Sequence, residues 1–267
     1  MKKYIFLSAL FVLGTFNTAQ SQQLPPRPII ECSGEVPFGA PMSRPGTVTN
    51  CRTGYLINIS LEAKIPFWTA HTVVPSDSVA CLPRDDAFAP DQSLPKGQRA
   101  ELEDYRKSGY DQGHMVSNAD LSFDPRAQKE SFLLSNMSPQ LPGLNRGVWK
   151  QLETATRAWA WSTQSHISVI AGNIWSEKSK VIGPNKVVVP DYLYKIVIMH
   201  NTRQSYAFLF PNREALGSNL MAFQTTVAKV EEMSGFTFGV PDNKLIINQT
   251  PLIDARKVTE DKRALCK

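Results

Sequence analysis

The chain has 267 residues, of which 42% are hydrophobic and 20% are charged, and its formal net charge is +5. This length is sufficient for one sizeable hydrophobic core. The sequence has no internal repeat, coiled coil or low-complexity tract, and past the N-terminal region no apolar segment approaches the roughly 20 residues that a membrane span requires. The mild positive charge is compatible with a polyanionic partner, but it identifies none by itself.

The first 21 residues have the order of regions found in a secretory signal peptide. Two lysines precede an apolar stretch from Tyr4 to about Leu13, and small and polar residues follow. Ala19 and Ser21 fit the small residues required at the cleavage site, so cleavage is predicted after Ser21. The sequence therefore predicts a secreted or periplasmic protein, with residues 22–267 forming a single domain.

Four cysteines follow the predicted cleavage site, at positions 32, 51, 81 and 266. None forms a C-x-x-C pair or lies at zinc-finger spacing to a histidine, so a structural zinc site is not expected. In an oxidising compartment, four cysteines indicate two disulfides, with three connectivities to choose from. We favour Cys32–Cys51, which closes a local loop, together with Cys81–Cys266, which ties the C-terminus to the middle of the chain.

The first half of the chain is predicted to be poor in helix. Residues 22–50 are rich in Pro, Gly and Ser and are predicted to form an irregular lead-in. Two strand-like runs follow, Tyr55–Ile59 and Pro66–Val74, and then a long polar connection over residues 82–109. A short buried strand is predicted at Ser131–Leu134.

The second half contains the clearest helix, Leu144–Ser162, because apolar residues recur there at spacings of four, three and four. A second helix is predicted within Met221–Met233, which ends at a Ser-Gly stop signal. Between them lie three strand-like runs, namely His166–Ile174, Lys186–His200 and Tyr206–Phe210. Strands and helices thus mix without strict β–α–β alternation, which predicts an α+β fold.

His114 is distinctive among the four histidines because it lies in the turn-like sequence "YDQGHM", residues 110–115. A histidine that follows a glycine in a polar turn can reach solvent and a substrate, although the hexapeptide taken alone favours a surface turn with an ordinary solvated imidazole. His71, His166 and His200 lie at the ends of strand-like runs, and none has a partner at metal-ligand spacing. We therefore interpret these three as structural.

The predicted helix carries Asn145, Trp149, Glu153 and Arg157 at successive intervals of four. Steps of four drift by only about 40° each, so these side chains should share one broad face. The simpler alternative is that Asn145 caps the helix and that Glu153 and Arg157 form an i,i+4 salt bridge that contributes about 0.3 kcal/mol.

Taken together, "DQGHM", "NMSPQ" and "LNRGVWKQLE" resemble the DNA/RNA non-specific endonuclease family, the Serratia-type nucleases with a ββα-metal active site. The spacings agree with the family pattern: 31 residues from His114 to Asn145, 8 from Asn145 to Glu153 and 4 from Glu153 to Arg157. The similarity extends from about Cys32 to Phe238. Gln112 departs from the pattern, since the family has an arginine there.

The resemblance implies a ββα-metal nuclease fold in the α+β class, with a central, mostly antiparallel sheet, flanking helices and long loops. It implies an Mg²⁺-dependent endonuclease, with Mn²⁺ as a possible substitute, that hydrolyses DNA and RNA with little sequence preference and leaves 5′-phosphate ends. Residues 22–267 would then be one nuclease domain.

Site residues are carried over from the family motif by position. His114 is expected to be the general base, Asn145 a direct metal ligand, and Glu153 a metal-binding residue acting through water. Arg157 and Arg84 are expected to stabilise developing negative charge. The residues expected to contact substrate are Gln112, Arg146 and Lys150.

Two alternatives remain beside an active endonuclease. The loss of the family arginine at Gln112 is compatible with a catalytically weakened, nucleic-acid-binding member. A disulfide-stabilised binding or structural protein would explain the helix stripe by capping and salt bridging alone. The expected partners are DNA and RNA, with no membrane and no stable protein partner evident, although a homodimer is possible.

Overall fold

The computed structural model describes residues 32, 34, 36–41, 43–79, 81–240 and 266. The predicted signal peptide, residues 1–21, lies outside this part of the chain. No helix within the described part is long and apolar enough to cross a membrane.

Eleven strands form the β-structure of the described residues. They are β1 (Thr47–Arg52), β2 (Tyr55–Ser60), β3 (Pro66–Val73), β4 (Asp111–His114), β5 (Met137–Gln140), β6 (Ile167–Ile174), β7 (Val181–Ile182), β8 (Val187–Val188), β9 (Tyr192–Met199), β10 (Gln204–Pro211) and β11 (Gln224–Thr225). Seven of them make one sheet in the order β1-β2-β3-β6-β9-β10-β11. Every neighbouring pair in that sheet is antiparallel.

The helices flank this sheet. They are α1 (Leu102–Tyr105), α2 (Pro125–Ser131), α3 (Pro142–Leu144), α4 (Lys150–Thr163) and α5 (Val227–Ser234). A π-helical turn, Asn145–Trp149, joins α3 to α4. The architecture is therefore α+β, with a mostly antiparallel central sheet, as predicted.

Both faces of the sheet are buried, each under a different helix. On β9, Val197 packs in the same cluster as Leu152 of α4, whereas its neighbour Ile196 packs in the cluster that contains Val230 of α5. Successive strand residues point to opposite faces, so both sets of side chains must be apolar. This explains why β9 is an almost uninterrupted apolar run, with Lys195 as its single charge.

Two disulfides join the cysteines in the predicted pairs. Cys32 is bonded to Cys51, which lies on β1, and Cys81 is bonded to Cys266. The second bond links positions separated by 185 residues. The predicted connectivity is thus confirmed.

Three predicted elements differ from those in the structure. The lead-in over residues 22–50 was expected to be irregular, but its end forms β1, which pairs with β2 along its whole length. Ser131–Leu134 is not a strand, because Ser131 ends α2 and Leu134 begins a 3-10 turn. The run Lys186–His200 is divided into β8 and β9 around Pro190, since proline lacks the N–H that a central strand must donate.

The helix predicted within Met221–Met233 is confirmed as α5, which ends at the predicted Ser-Gly stop signal but begins later than the start of that segment. Leu220–Phe223 forms a 3-10 turn, Gln224–Thr225 forms the edge strand β11, and α5 begins only after Thr226. Thr226 caps α5 by accepting a hydrogen bond from the backbone N–H of Lys229. A side-chain cap inside the apolar pattern therefore sets the helix start.

Candidate active site

A two-stranded antiparallel sheet and the helix that follows its second strand form the centre of the site. β4 and β5 pair antiparallel, with Asp111 opposite Gln140 and His114 opposite Met137. Gly113 is required there, because a Cβ at this position would overlap the side chain of Gln140. After β5 the chain enters the π-helical turn and α4. The three sequence motifs, "DQGHM", "NMSPQ" and "LNRGVWKQLE", thus lie on or next to two strands and one helical segment.

His114 lies on a strand and is nearly buried, which corrects the expectation of a solvent-reaching histidine in a turn. Only 9% of the residue is exposed. Its ring is packed edge-on against Phe88 and Phe132, with ring centroids 5.6 and 5.0 Å away. Trp149 holds the backbone, since its Nε1–H donates to the His114 carbonyl at 3.0 Å. The pairing of β4 with β5, which the hexapeptide alone does not reveal, places the ring there.

Burial keeps His114 in its neutral form. It lowers the pKa of His114 to about 3, and the positive charges of Arg84 and Lys195 act in the same direction. Nε2 has no hydrogen-bond partner in the described structure and is shielded from solvent. An unpaired imidazole nitrogen in its basic form is suited to accept a proton, provided that the aromatic cover admits a water molecule.

Asp111 fixes the start of the helical segment. Its Oδ2 accepts from Asn145 Nδ2 at 2.9 Å, and its two oxygens accept from Arg146 Nε and Nη2 at 2.8 and 2.6 Å. Burial tends to raise the pKa of Asp111, but the hydrogen bonds from Arg146 and Asn145 outweigh it and lower the pKa. Asp111 therefore orients Asn145 through its amide nitrogen and leaves the amide oxygen for another ligand.

Glu153 has an ion-pair partner that was not predicted from the sequence. Lys195, on β9, donates from Nζ to Glu153 Oε1 at 3.1 Å, and the same Nζ lies 4.0 Å from the centroid of the Trp149 ring. Burial lowers the pKa of Lys195, while the neighbouring Glu153 carboxylate opposes that shift. The Glu153–Arg157 salt bridge of the simpler alternative is absent from the ion pairs of the described residues, because each side chain pairs elsewhere.

Arg157 is held by a buried carboxylate. Its Nη1 donates to Asp120 Oδ1 at 2.6 Å and to Ser117 Oγ at 3.2 Å. The other oxygen of Asp120 accepts from His71 Nε2 at 3.0 Å. Burial would raise the pKa of Asp120, but Arg157 and His71 lower it strongly. His71 is thus structural as predicted, and it supports the arginine indirectly.

The remaining predicted residues lie around this centre at greater exposure. Arg84 is ion-paired with Asp86 at 2.6 Å and lies 5.1 Å from the Phe132 ring, so it covers the aromatic wall of the His114 pocket. Gln112 lies two residues before His114 on β4, and Lys150 is exposed at the start of α4. Glu153 is thus linked to His114 through Lys195, whose charge acts on the imidazole, and Asn145 is linked to the same strand through Asp111.

The π-helical turn changes the predicted helix stripe. Asn145–Trp149 is wound more loosely than an α-helix, and Gly147 has φ −97° and ψ −118°, outside the helical region. Only the steps from Trp149 to Arg157 run along regular α-helix. π-Turns inside helices are frequent at functional sites, and this one lets Asn145 meet Asp111 instead of capping the helix.

The donor set suits a hydrated metal ion better than a fully protein-ligated one. No group of three His, Cys, Asp or Glu side chains that would hold a metal is found within the described residues. Asn145 offers an amide oxygen and Glu153 a carboxylate oxygen that is not bonded to Lys195. Hard oxygen donors with room for several waters match the preferences of Mg²⁺, so these residues fit such an ion.

Known proteins with similar sequences are nucleases. The chain is 32% identical over 214 residues to "Nuclease 1, mitochondrial" of Schizosaccharomyces pombe, covering 72% of this chain and 66% of that protein. It is 29% identical over 220 residues to "Nuclease EXOG, mitochondrial" of Homo sapiens, covering 75% and 59%. The similarity therefore spans somewhat less than two thirds of the length of these relatives.

These relatives contradict the predicted location. The signal-like N-terminus suggested a secreted or periplasmic protein, but the relatives are named as mitochondrial nucleases in fission yeast and in humans. The comparison points to a mitochondrial location, so the prediction of secretion is wrong. A basic and apolar N-terminal stretch does not by itself distinguish the two destinations, and residues 1–21 lie outside the described structure.

A solved structure and a family profile complete the comparison. The fold matches the crystal structure of EndoG in its complex with EndoGI, with a TM-score of 0.69, 26% identity, and coverage of 78% of this chain and 90% of that one. The profile of the DNA/RNA non-specific endonucleases, a family of metal-dependent nucleases, matches residues 39–243. With this match, the ββα arrangement around His114 and Asn145 is that of a ββα-metal nuclease, and the chain belongs to the DNA/RNA non-specific endonuclease family.

Proposed function

We propose that this chain is an Mg²⁺-dependent endonuclease that hydrolyses phosphodiester bonds in DNA and RNA with little sequence preference. Residues 22–267 would act as one nuclease domain. The observation that carries the proposal is the buried His114, whose Nε2 has no hydrogen-bond partner among the described residues, on the strand whose Asp111 orients Asn145. A protein that only bound nucleic acid would have no need of a buried, basic imidazole.

Phosphodiester hydrolysis requires an activated water, and His114 is the residue proposed to activate it. Burial lowers the pKa of His114 and keeps Nε2 unprotonated, and entry of water beside the ring would return that pKa toward the neutral range in which an imidazole accepts a proton from water. Phe88 and Phe132 cover the ring, so we expect displacement of the more exposed Phe88 to admit water to Nε2.

Asn145 and, through water, Glu153 would hold the metal ion. A bound Mg²⁺ supplies positive charge that polarises the phosphate and stabilises the leaving oxygen. Asp111 orients the Asn145 amide for this role, and Lys195 holds the Glu153 carboxylate. Mn²⁺ has similar oxygen preferences and would substitute.

Cations around the centre would bind the phosphate groups. Arg157 projects next to Glu153 and is anchored by Asp120, so its guanidinium can stabilise negative charge without a large conformational cost. Arg84 approaches from the loop above His114. Arg146 is exposed in the π-helical turn, where it is ion-paired with Asp111, and Lys150 is exposed at the start of α4. Both would contact the flanking backbone, as would the uncharged Gln112.

The products are proposed to carry 5′-phosphate ends, because water activated at His114 would attack opposite the departing 3′ oxygen. Ligation of the cleaved DNA without prior phosphorylation checks this directly. Products that ligate only after treatment with a kinase would contradict it.

Relaxation of supercoiled plasmid and degradation of single-stranded RNA test the proposed function. Wild-type protein should cleave both substrates with Mg²⁺ and neither in excess chelator, whereas Asn145→Ala should lose most activity at the same Mg²⁺ concentration. Nucleic-acid binding without cleavage in any divalent metal would instead identify a catalytically weakened member, as the neutral Gln112 would permit.

A further inference from the structure

A groove lies beside the active site, where β6 and β10 end and β9 begins. Its volume is about 640 Å³, and its lining includes Tyr110 and Leu141. Tyr110 also lines an adjoining depression of about 400 Å³ that contains Asp111 and Gln112. Through Tyr110, the groove therefore adjoins the depression that contains Asp111, the residue that orients Asn145.

Three half-buried aromatic rings line this groove: Tyr110, Trp175 and Tyr192. The Trp175 ring is stacked on Phe67, with ring centroids 4.4 Å apart and an angle of 24° between the planes. That contact holds the indole in place and fixes its orientation. An aromatic ring fixed in this way is a ready stacking platform, since little side-chain entropy is lost when a second ring stacks on it.

Three exposed cations surround the same groove: Lys178, Lys180 and Arg213. None of them is ion-paired with another described residue. One carboxylate, Asp191, also lines it, and Ser179 Oγ donates to Asp191 Oδ2 at 2.6 Å. The groove thus has an excess of positive charge and suits an anionic ligand.

Rings and free cations in one groove match the chemistry of single-stranded nucleic acid. Exposed bases stack on aromatic side chains, while lysine and arginine neutralise the phosphates. A duplex offers the same phosphates but keeps its bases stacked within the helix. A neighbouring cavity of about 530 Å³ beyond Trp175 is lined by Arg44, Glu62 and Glu177, so its charge does not extend the cationic surface.

We propose that this groove binds an unpaired stretch of the substrate strand next to the scissile bond, with bases on Trp175 and Tyr192 and phosphates on Lys178, Lys180 and Arg213. The identification of the bound strand as substrate rests on the proposed nuclease function. Binding itself, however, is measurable without cleavage. The groove gives the enzyme a preference for single-stranded or locally melted DNA and RNA over fully paired duplex.

Fluorescence anisotropy of the full-length protein in excess chelator tests the groove, with a labelled single-stranded oligonucleotide and the duplex of the same sequence. Trp175→Ala should weaken binding of the single strand by about fivefold or more and affect the duplex less. Lys178→Gln/Lys180→Gln should reduce the slope of log affinity against log salt by about 1.4 for the single strand. This second variant changes only exposed side chains, so it remains informative if loss of the Trp175–Phe67 stack affects folding.

Lys96→Gln/Arg203→Gln is the matched control, because it removes the same charge at two exposed positions that do not line the groove and form no ion pair with a described residue. An unchanged salt slope in the groove variant relative to this control would overturn the proposal. So would an equal loss of single-strand and duplex affinity in Trp175→Ala. Plasmid cleavage by the wild type with Mg²⁺ is scored separately, so a failure of the nuclease function is distinguishable from a failure of the groove.

Discussion

Glu153 and Lys195 form a buried ion pair across the interface between α4 and the central sheet. Lys195 Nζ lies 3.1 Å from Glu153 Oε1, and the side chains are 4% and 12% exposed. The proposed metal-binding carboxylate is thus held by a strand residue 42 positions further along the chain. The pair connects the stability of the fold with the geometry of the site.

Lys195→Met should therefore reduce both stability and activity. Removing one partner of a buried pair leaves the other charge uncompensated, which typically costs about 3–5 kcal/mol. The double variant Lys195→Met/Glu153→Gln should regain much of that stability but none of the activity, because it lacks the carboxylate. Urea unfolding and plasmid cleavage measure the two effects. Lys150→Met, at an exposed position on the same helix, is the control for stability and should change it by less than about 0.5 kcal/mol.

Asp120 should make the protein sensitive to acid. Its pKa is lowered in the folded state by Arg157 and His71, so its stabilising contribution is complete above the unfolded pKa of about 3.9. That contribution is lost as the pH falls below this value, since the unfolded state then binds a proton that the folded state excludes. Asp120→Asn should be less stable at neutral pH and show a shallower loss between pH 5 and 2, by about 1.4 kcal/mol per pH unit at most. Parallel curves for the two proteins would contradict the assignment.

Phe88 should control access to His114. Phe88 is the more exposed of the two rings that contact the imidazole, since Phe132 is fully buried. Phe88→Ala should accelerate modification of His114 by diethyl pyrocarbonate severalfold, as read by peptide mass mapping. His166 is exposed and provides an internal control, because its modification rate should be the same in both proteins. Equal rates at His114 would show that another group covers the ring.

Gln112→Arg should raise catalytic efficiency more at low salt than at high salt. A guanidinium placed two residues before His114 on β4 would add a charge-assisted contact to phosphate, which salt weakens. Cleavage efficiency of both proteins across a range of salt concentrations measures the effect. A constant ratio of the two efficiencies would argue against a phosphate contact at this position.

Local patterns in the sequence predicted the components of the site, but not the contacts that hold them. The motifs around His114 and Asn145 lie within short stretches, and their order identified the family. The partner of Glu153 is Lys195 on β9, and the partner of Arg157 is Asp120 in the 3-10 turn Asn118–Asp120. Both contacts join distant parts of the chain through strand register and tertiary packing, which no local pattern specifies. One signal was available, since a single lysine in the apolar run of β9 predicts a buried and paired charge.

The fold shows the same division. The long strands of the central sheet were predicted from continuous apolar runs. The disulfide pairing was chosen from the three connectivities that four cysteines allow. β4 and β5 were missed because each has only four residues, and their pairing spans a connection that contains α2. The π-helical turn was also missed, because the sequence pattern of Leu144–Ser162 fits a regular helix apart from Gly147.

Single-turnover cleavage of a labelled DNA oligonucleotide by His114→Ala tests the central claim most directly. Loss of a general base typically lowers the rate by about 10²–10⁴-fold, and substrate affinity in chelator should stay close to that of the wild type. His166→Ala, at an exposed histidine outside the site, should cleave at the wild-type rate. If His114→Ala, folded as judged by circular dichroism, cleaved within a fewfold of wild type, His114 would not be the base and the proposed mechanism would be wrong.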